Sequence, residues 1–166
     1  MTIQKSLVAI VFVFSAMQLS AQSSDLKTSI TDLNQADKVS TDLDDVLNMY
    51  EGKVIYLDFW ASWCGPCKRE MPHSLKMQEE FKGKDVAFVY ISTDRDAKAW
   101  RNAITSLKVT GEHFRVNQNV HIQMNERFNV KYIPRYVLID KEGNVVNATA
   151  NRPSSALAVD DINKLL

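Results

Sequence analysis

The stretch Asp58-Phe59-Trp60-Ala61-Ser62-Trp63-Cys64-Gly65-Pro66-Cys67 contains both cysteines of the chain, with two residues between them. Val54 to Trp60 is nearly all apolar, as a central parallel strand covered on both faces would be. The residues from Cys67 onward read as a helix, which puts Cys64 at the helix N-terminus. Unpaired N–H groups and the macrodipole favour negative charge there. A thiolate, not a thiol, is the attacking species, so this placement equips Cys64 to react. Pro66 fits the first turn, where its missing N–H costs nothing. Cys67, one turn in and more shielded, is placed to attack a mixed disulfide formed on Cys64.

Two other readings of the pair stand beside this one. An inert bridge would constrain almost nothing, because the closed ring is so small. A zinc site needs about four ligands, and the chain has no second cysteine pair and only three histidines. Redox chemistry is the stronger reading.

Outward from this stretch, the 166 residues suit one domain with a sizeable core. Formal net charge is zero with no basic run, which argues against nucleic acid as a partner. Residues 1–21 differ from the rest. Lys5 precedes the apolar run Leu7 to Met17, and Leu19-Ser20-Ala21 offers a cleavage point, the layout of a signal peptide. The run is shorter than the ~20 residues that span a bilayer, and no cysteine near the cleavage point could carry a lipid. The mature chain is therefore expected to be exported and soluble. Exported domains commonly use cysteines as staples; this one keeps only a closely spaced pair, so its core must hold the fold.

Residues 22–40 read as a polar tether leading into an edge element, and residues 41–166 as the main domain. Thr41 can cap a helix whose apolar positions are Leu43, Val46, Leu47 and Tyr50, with Gly52 at its end. The helix from Cys67 turns Met71, Leu75 and Phe81 to the core and stops at Gly83, with a kink expected at Pro72. Val86 to Ser92 is a second central strand. A helix from Asp94–Asp96 presents Trp100, Ala103, Ile104 and Leu107; a short strand near Phe114 to Val116 and a helix carrying Val120, Met124 and Phe128 follow. Tyr136 to Asp140 and Val145 to Ala148 form a hairpin about Lys141–Asn144, and Ser154 or Ser155 caps a last helix.

Asp58 interrupts the apolar strand six residues before Cys64. A carboxylate there is expensive unless its pKa rises or it finds a partner, which favours a functional residue over an edge position touching solvent. Glu70, on the helix after Cys67, could tune local charge, but reads rather as part of a solvated helix face. His73, His113 and His121 show no ligand spacing, and His73 reads as surface. Asn147-Ala148-Thr149 fits a glycosylation triplet of a kind frequent by chance.

The segment Asp58 to Cys67 resembles the active-site segment of the thioredoxin superfamily. Lys68-Arg69-Glu70-Met71-Pro72 resembles its extracytoplasmic branch, typified by the TlpA and ResA proteins. The likeness covers roughly Lys53 to the C-terminus. It implies an α/β thioredoxin-like fold: a central mixed β-sheet flanked by helices. An extra helix–strand insertion would lie between the Cys-x-x-Cys helix and a cis-proline loop. That loop is matched by Tyr132-Ile133-Pro134-Arg135-Tyr136, which implies a cis bond before Pro134 packed near the disulfide. The resemblance makes Asp58 the buried acid that exchanges a proton with Cys67, and puts Trp63 at the rim and Trp60 in the core. The N-terminal hairpin that branch members carry has no clear counterpart here.

The expected catalytic set is thus Cys64, Cys67 and Asp58. The expected substrate-facing set is Trp63, Gly65, Pro66, Ile133 and Pro134, with the Ile133 backbone offered to an extended strand. The expected function is an exported, periplasmic or otherwise extracytoplasmic thiol:disulfide oxidoreductase, reducing protein disulfides. No bound cofactor or metal is expected, since the Cys64–Cys67 dithiol carries the two electrons. Protein thiols and disulfides and a membrane electron donor are the implied partners of a monomer not inserted in the membrane. The alternatives are a disulfide-forming oxidase or isomerase using the same cysteines, and a peptide-binding or chaperone module.

Overall fold

The computed structural model describes residues 27–166; the expected signal peptide and the start of the tether lie outside them. Six strands form one sheet: β1 (Thr28–Asp32), β2 (Val54–Trp60), β3 (Val86–Ser92), β4 (Gly111–Arg115), β5 (Arg135–Ile139) and β6 (Val145–Asn147). Their spatial order is β1-β4-β3-β2-β5-β6. The pairs β1–β4, β4–β3 and β3–β2 are parallel, and β5 and β6 are antiparallel additions. Five helices cover it: α1 (Leu43–Asn48), α2 (Gly65–Glu80), α3 (Ala97–Leu107), α4 (Gln118–Phe128) and α5 (Ala156–Asn163).

Strand alternation divides the core into two layers. Ile55, Leu57 and Phe59 of β2 meet Val46, Leu47, Val120, Met124 and Phe128, contributed by α1 and α4. Val54, Tyr56 and Trp60 face the other way, toward Cys67, Met71, Trp100, Ile104 and Ile162 from α2, α3 and α5. Every residue of β2 is buried, which accounts for the nearly unbroken apolar run. Asp58 shares the parity of Tyr56 and Trp60, so it points to the layer that holds the cysteines.

Local chemistry sets the helix ends, sometimes one residue from the sequence reading. Asp42, not Thr41, caps α1: its side chain accepts from Asp45 N–H while the Asp45 carboxylate accepts from Asp42 N–H. Asp96 caps α3 and Ser155 caps α5. The helix α2 runs unbroken through Pro72, which is exposed.

Between α2 and Pro134 the chain lays down β3, α3, β4 and α4, and β4 is inserted between β1 and β3. This is the surplus length expected from the sequence, although β4 begins at Gly111 rather than near Phe114. Gly111 has φ +100°, and a Cβ there would lie 2.9 Å from the Phe88 carbonyl oxygen and 3.0 Å from the Tyr90 ring. Only glycine lets the chain enter so close to β3. Deeper in, His113 of β4 is fully buried and stacks on Tyr90 with centroids 4.6 Å apart. Burial pushes its pKa down to about 4, so the ring is neutral.

Candidate active site

Sheet register gathers three loops at one edge. Trp60 pairs with Ser92, and Phe59 with Arg135, so the segments after β2, after β3 and before β5 all emerge beside the C-terminal end of β2. The first carries Trp63 and Cys64, the second Thr93 to Asp96, the third Tyr132 to Pro134.

Cys64 and Cys67 are joined as a disulfide, with Cα atoms 5.3 Å apart. Cys64 is the N-cap of α2, with Gly65 and Pro66 as its first two residues. Its Sγ accepts from the Cys67 N–H at 3.1 Å. That donor is one of the helix's orphan N–H groups, and on reduction it would stabilise a thiolate on Cys64 rather than on Cys67. Cys67 is fully buried, whereas Cys64 keeps a small exposed edge. The Ile133–Pro134 bond is cis. The Ile133 N–H and C=O make no hydrogen bond among the described residues, which leaves both for an extended chain. Trp63, 67% exposed, and Tyr132, 81% exposed, stand on either side. Between them lies a cleft of about 340 Å³ that also touches Met124, Val130 and Ile133. Trp60 is pure core.

Behind the disulfide, Asp58 is 1% exposed, and neither carboxylate oxygen has a hydrogen-bond partner among the described residues. Burial first, and the charge of Glu70 second, push its pKa well above the usual carboxylate range. Directly opposite it on β5, Tyr136 has a buried hydroxyl that is likewise unpartnered. An unpaired buried carboxyl is stable only with its proton on.

Glu70 corrects the expectation of a solvated helix face. It is 8% exposed, and its carboxylate accepts from the Ser154 N–H at 3.0 Å and hydroxyl at 3.2 Å, with Arg152 at 3.8 Å. A second buried carboxylic group, on α2 itself, therefore accompanies Asp58 of β2, and sequence reading singled out Asp58 alone as a catalytic group. No local signal marks Glu70, because its partners come from the segment before α5. Asp94, read from the sequence only as part of a helix start, lies before α3 and its Asp96 cap; it is 4% exposed and bonded to the loop carrying Trp63.

These features have counterparts in known proteins. A Thioredoxin-like family model matches residues 52–145. ResA of Bacillus subtilis, a thiol-disulfide oxidoreductase, is 29% identical over 117 residues, covering 70% of this chain and 64% of its own length. The match thus spans less than two thirds of that relative. A crystal structure of a candidate thiol-disulfide oxidoreductase from Bacteroides vulgatus superposes with a TM-score of 0.66 at 39% identity, over 72% of this chain and 83% of that one. A candidate DsbE-type thiol:disulfide interchange protein from Chlorobium tepidum gives 0.53 at 32%, over 60% and 69%. With a mixed sheet of this order, a Cys-x-x-Cys pair at a helix start and a cis-proline beside it, the chain belongs to the thioredoxin-like family.

Proposed function

We propose that the chain is a thiol:disulfide oxidoreductase that works outside the cytoplasm as a reductase of protein disulfides. The observation carrying this is the N-cap position of Cys64, with its sulfur on the Cys67 N–H. In the reduced form the Cys64 thiolate attacks one sulfur of a substrate disulfide. A Cys64–substrate bond forms and the other substrate sulfur leaves as a thiolate. Cys67 then attacks the Cys64 sulfur while its proton passes, by exchange through the Asp58 carboxyl, to the departing substrate sulfur. The second substrate thiol is released and the enzyme disulfide of the present structure remains. Two electrons pass from dithiol to substrate, so no bound cofactor is required. A membrane dithiol protein is the class of donor that would restore the dithiol outside the cytoplasm.

Wild-type protein is expected to reduce insulin with dithiothreitol as recycling reductant, and Cys64→Ala to be inactive. Equal rates for the two would leave only a peptide-binding module. Direction follows from charge. The dipeptide Gly65-Pro66 brings no cation between the sulfurs, and the Arg69 guanidinium near Gly65 belongs to an exposed side chain. The helix start then supplies most of the thiolate stabilisation, and that is modest. The potential should lie nearer ~−270 mV than ~−120 mV. Equilibration with glutathione measures it, and a couple more oxidising than about −180 mV would favour an oxidase or isomerase.

Export is supported by the leader-like residues 1–21 and by the likeness to ResA. None of the described helices is long and apolar enough to cross a membrane. N-terminal sequencing of mature protein from the producing cell should start near Gln22; bulk material beginning at Met1 or Thr2 would refute export.

A further inference from the structure

We propose that Asp94 is a positioning residue that sets the Trp63 wall of the substrate cleft, and that the inserted strand β4 braces it through Arg115. Asp94 lies in the turn after β3 and is 4% exposed. Its carboxylate accepts from the Ser62 N–H at 2.8 Å, the Ser62 hydroxyl at 2.6 Å and the Ser92 hydroxyl at 2.7 Å. No cation pairs with that carboxylate among the described residues. Neutral donors alone satisfy a buried acid here, and two of the three belong to the residue just before Trp63.

The two loops are joined again at the backbone, where Thr93 N–H donates to the Trp60 carbonyl at 3.1 Å. From the other side, Arg115 donates to the Asp94 and Arg95 carbonyls at 3.4 and 3.2 Å while its second nitrogen holds Asp32 at 2.8 Å. Arg115 closes β4 opposite Ser92. A continuous line of contacts therefore runs from β1 through the inserted strand to Ser62. Among the described residues Trp63 has no comparable anchor of its own: its side chain is 67% exposed and borders clefts on both faces, one with Tyr132 and Ile133, the other with Arg95 and Ala99. Fixing Ser62 is what holds the indole in place between them. The sulfur chemistry does not pass through this contact, because the Cys64 Sγ takes its donor from α2 itself.

The kinetic arm of the test rests on the reductase reading, and a spectroscopic arm does not. Trp60 and Trp100 are fully buried, so acrylamide quenching reports Trp63, with Trp63→Phe as the blank. Asp94→Ala should raise the KM for insulin about tenfold, the value of one hydrogen bond to a charged group, with a much smaller change in kcat. It should also alter Trp63 quenching. Asp94→Asn, which can still accept from the Ser62 N–H, should restore most of both. Ser62→Ala keeps the N–H bond and should fall between. If Asp94→Ala does not fold, Ser62→Ala carries the comparison, with Asp94→Asn as its near-wild-type control. Unchanged KM and quenching would overturn the proposal, and so would a loss confined to kcat, which would place Asp94 in the chemistry. If the wild type fails to reduce insulin, the reductase reading falls while the quenching series still decides whether Asp94 positions Trp63, and Arg115→Gln, expected to shift quenching in the same direction, decides the brace from β4.

Discussion

A Cys67→Ser variant is expected to stop halfway through the reaction, holding substrate proteins as mixed disulfides on Cys64, while Cys64→Ser traps none. Turnover should fall by about three orders of magnitude or more in either variant, since each removes a group without which the cycle cannot close. The asymmetry in trapping is what the geometry adds. Cys64 has the helix N–H and the exposed edge, whereas Cys67 is wholly buried and can reach only a sulfur already attached to Cys64. In the reduced wild type, iodoacetamide should accordingly modify Cys64 first. Non-reducing gels of cell extracts and timed alkylation with mass spectrometry measure these outcomes. Equal alkylation rates, or adducts on Cys64→Ser, would reverse the assignment.

The second large effect is that of Asp58→Asn, which should slow resolution by Cys67 about 100-fold while stabilising the fold. The kinetic half follows if the buried carboxyl serves the proton of Cys67; first attack by Cys64 should change far less. The stability half follows from linkage. The pKa of Asp58 is raised by burial, and next by Glu70, from an ordinary 3.8. Below that pH both folded and unfolded chains hold the proton. Above it the unfolded chain releases its proton while the folded one retains it, so the unfolded state binds fewer protons and stability declines as pH rises. The decline ends once the folded carboxyl itself ionises. Asparagine removes this penalty. The variant should match wild type near pH 4 and melt progressively higher than it as the pH is raised toward 7. Melting curves across pH test this, and an advantage that does not grow with pH would show Asp58 to be an ordinary carboxylate.

Legibility in the sequence tracked how local the cause was. The strand β2 could be read to the residue because burial on both faces demands seven apolar-compatible positions in a row, and Asp58 stood out against them. The helix α4 was legible through Val120, Met124 and Phe128, which share one face and are all buried. The start of β4 was not: Gly111 and Glu112 look like a loop, and only the approach to Phe88 and Tyr90 explains the glycine. The cap of α1 slipped by one residue because Thr41 and Asp42 are both capping types, and the reciprocal bond with Asp45 decides between them. The site divided the same way. Cys64, Cys67 and Asp58 advertise themselves by spacing and contrast. Glu70 and Asp94 do not, because their partners lie 84 and 32 residues away and an isolated acidic residue reads as surface.

The direction of β1 settles where the molecule can be held. It runs parallel to β2, and its first residue, Thr28, pairs with Gly111 at the start of β4, the end of the sheet away from Trp60 and the disulfide. It is also the outermost strand, with β4 and β3 between it and β2. A label or fused protein joined directly at Lys27 would therefore enter the sheet at the corner diagonal to the sulfurs. Cys64, Trp63 and Tyr132 would then stand at the opposite end of the sheet from that junction.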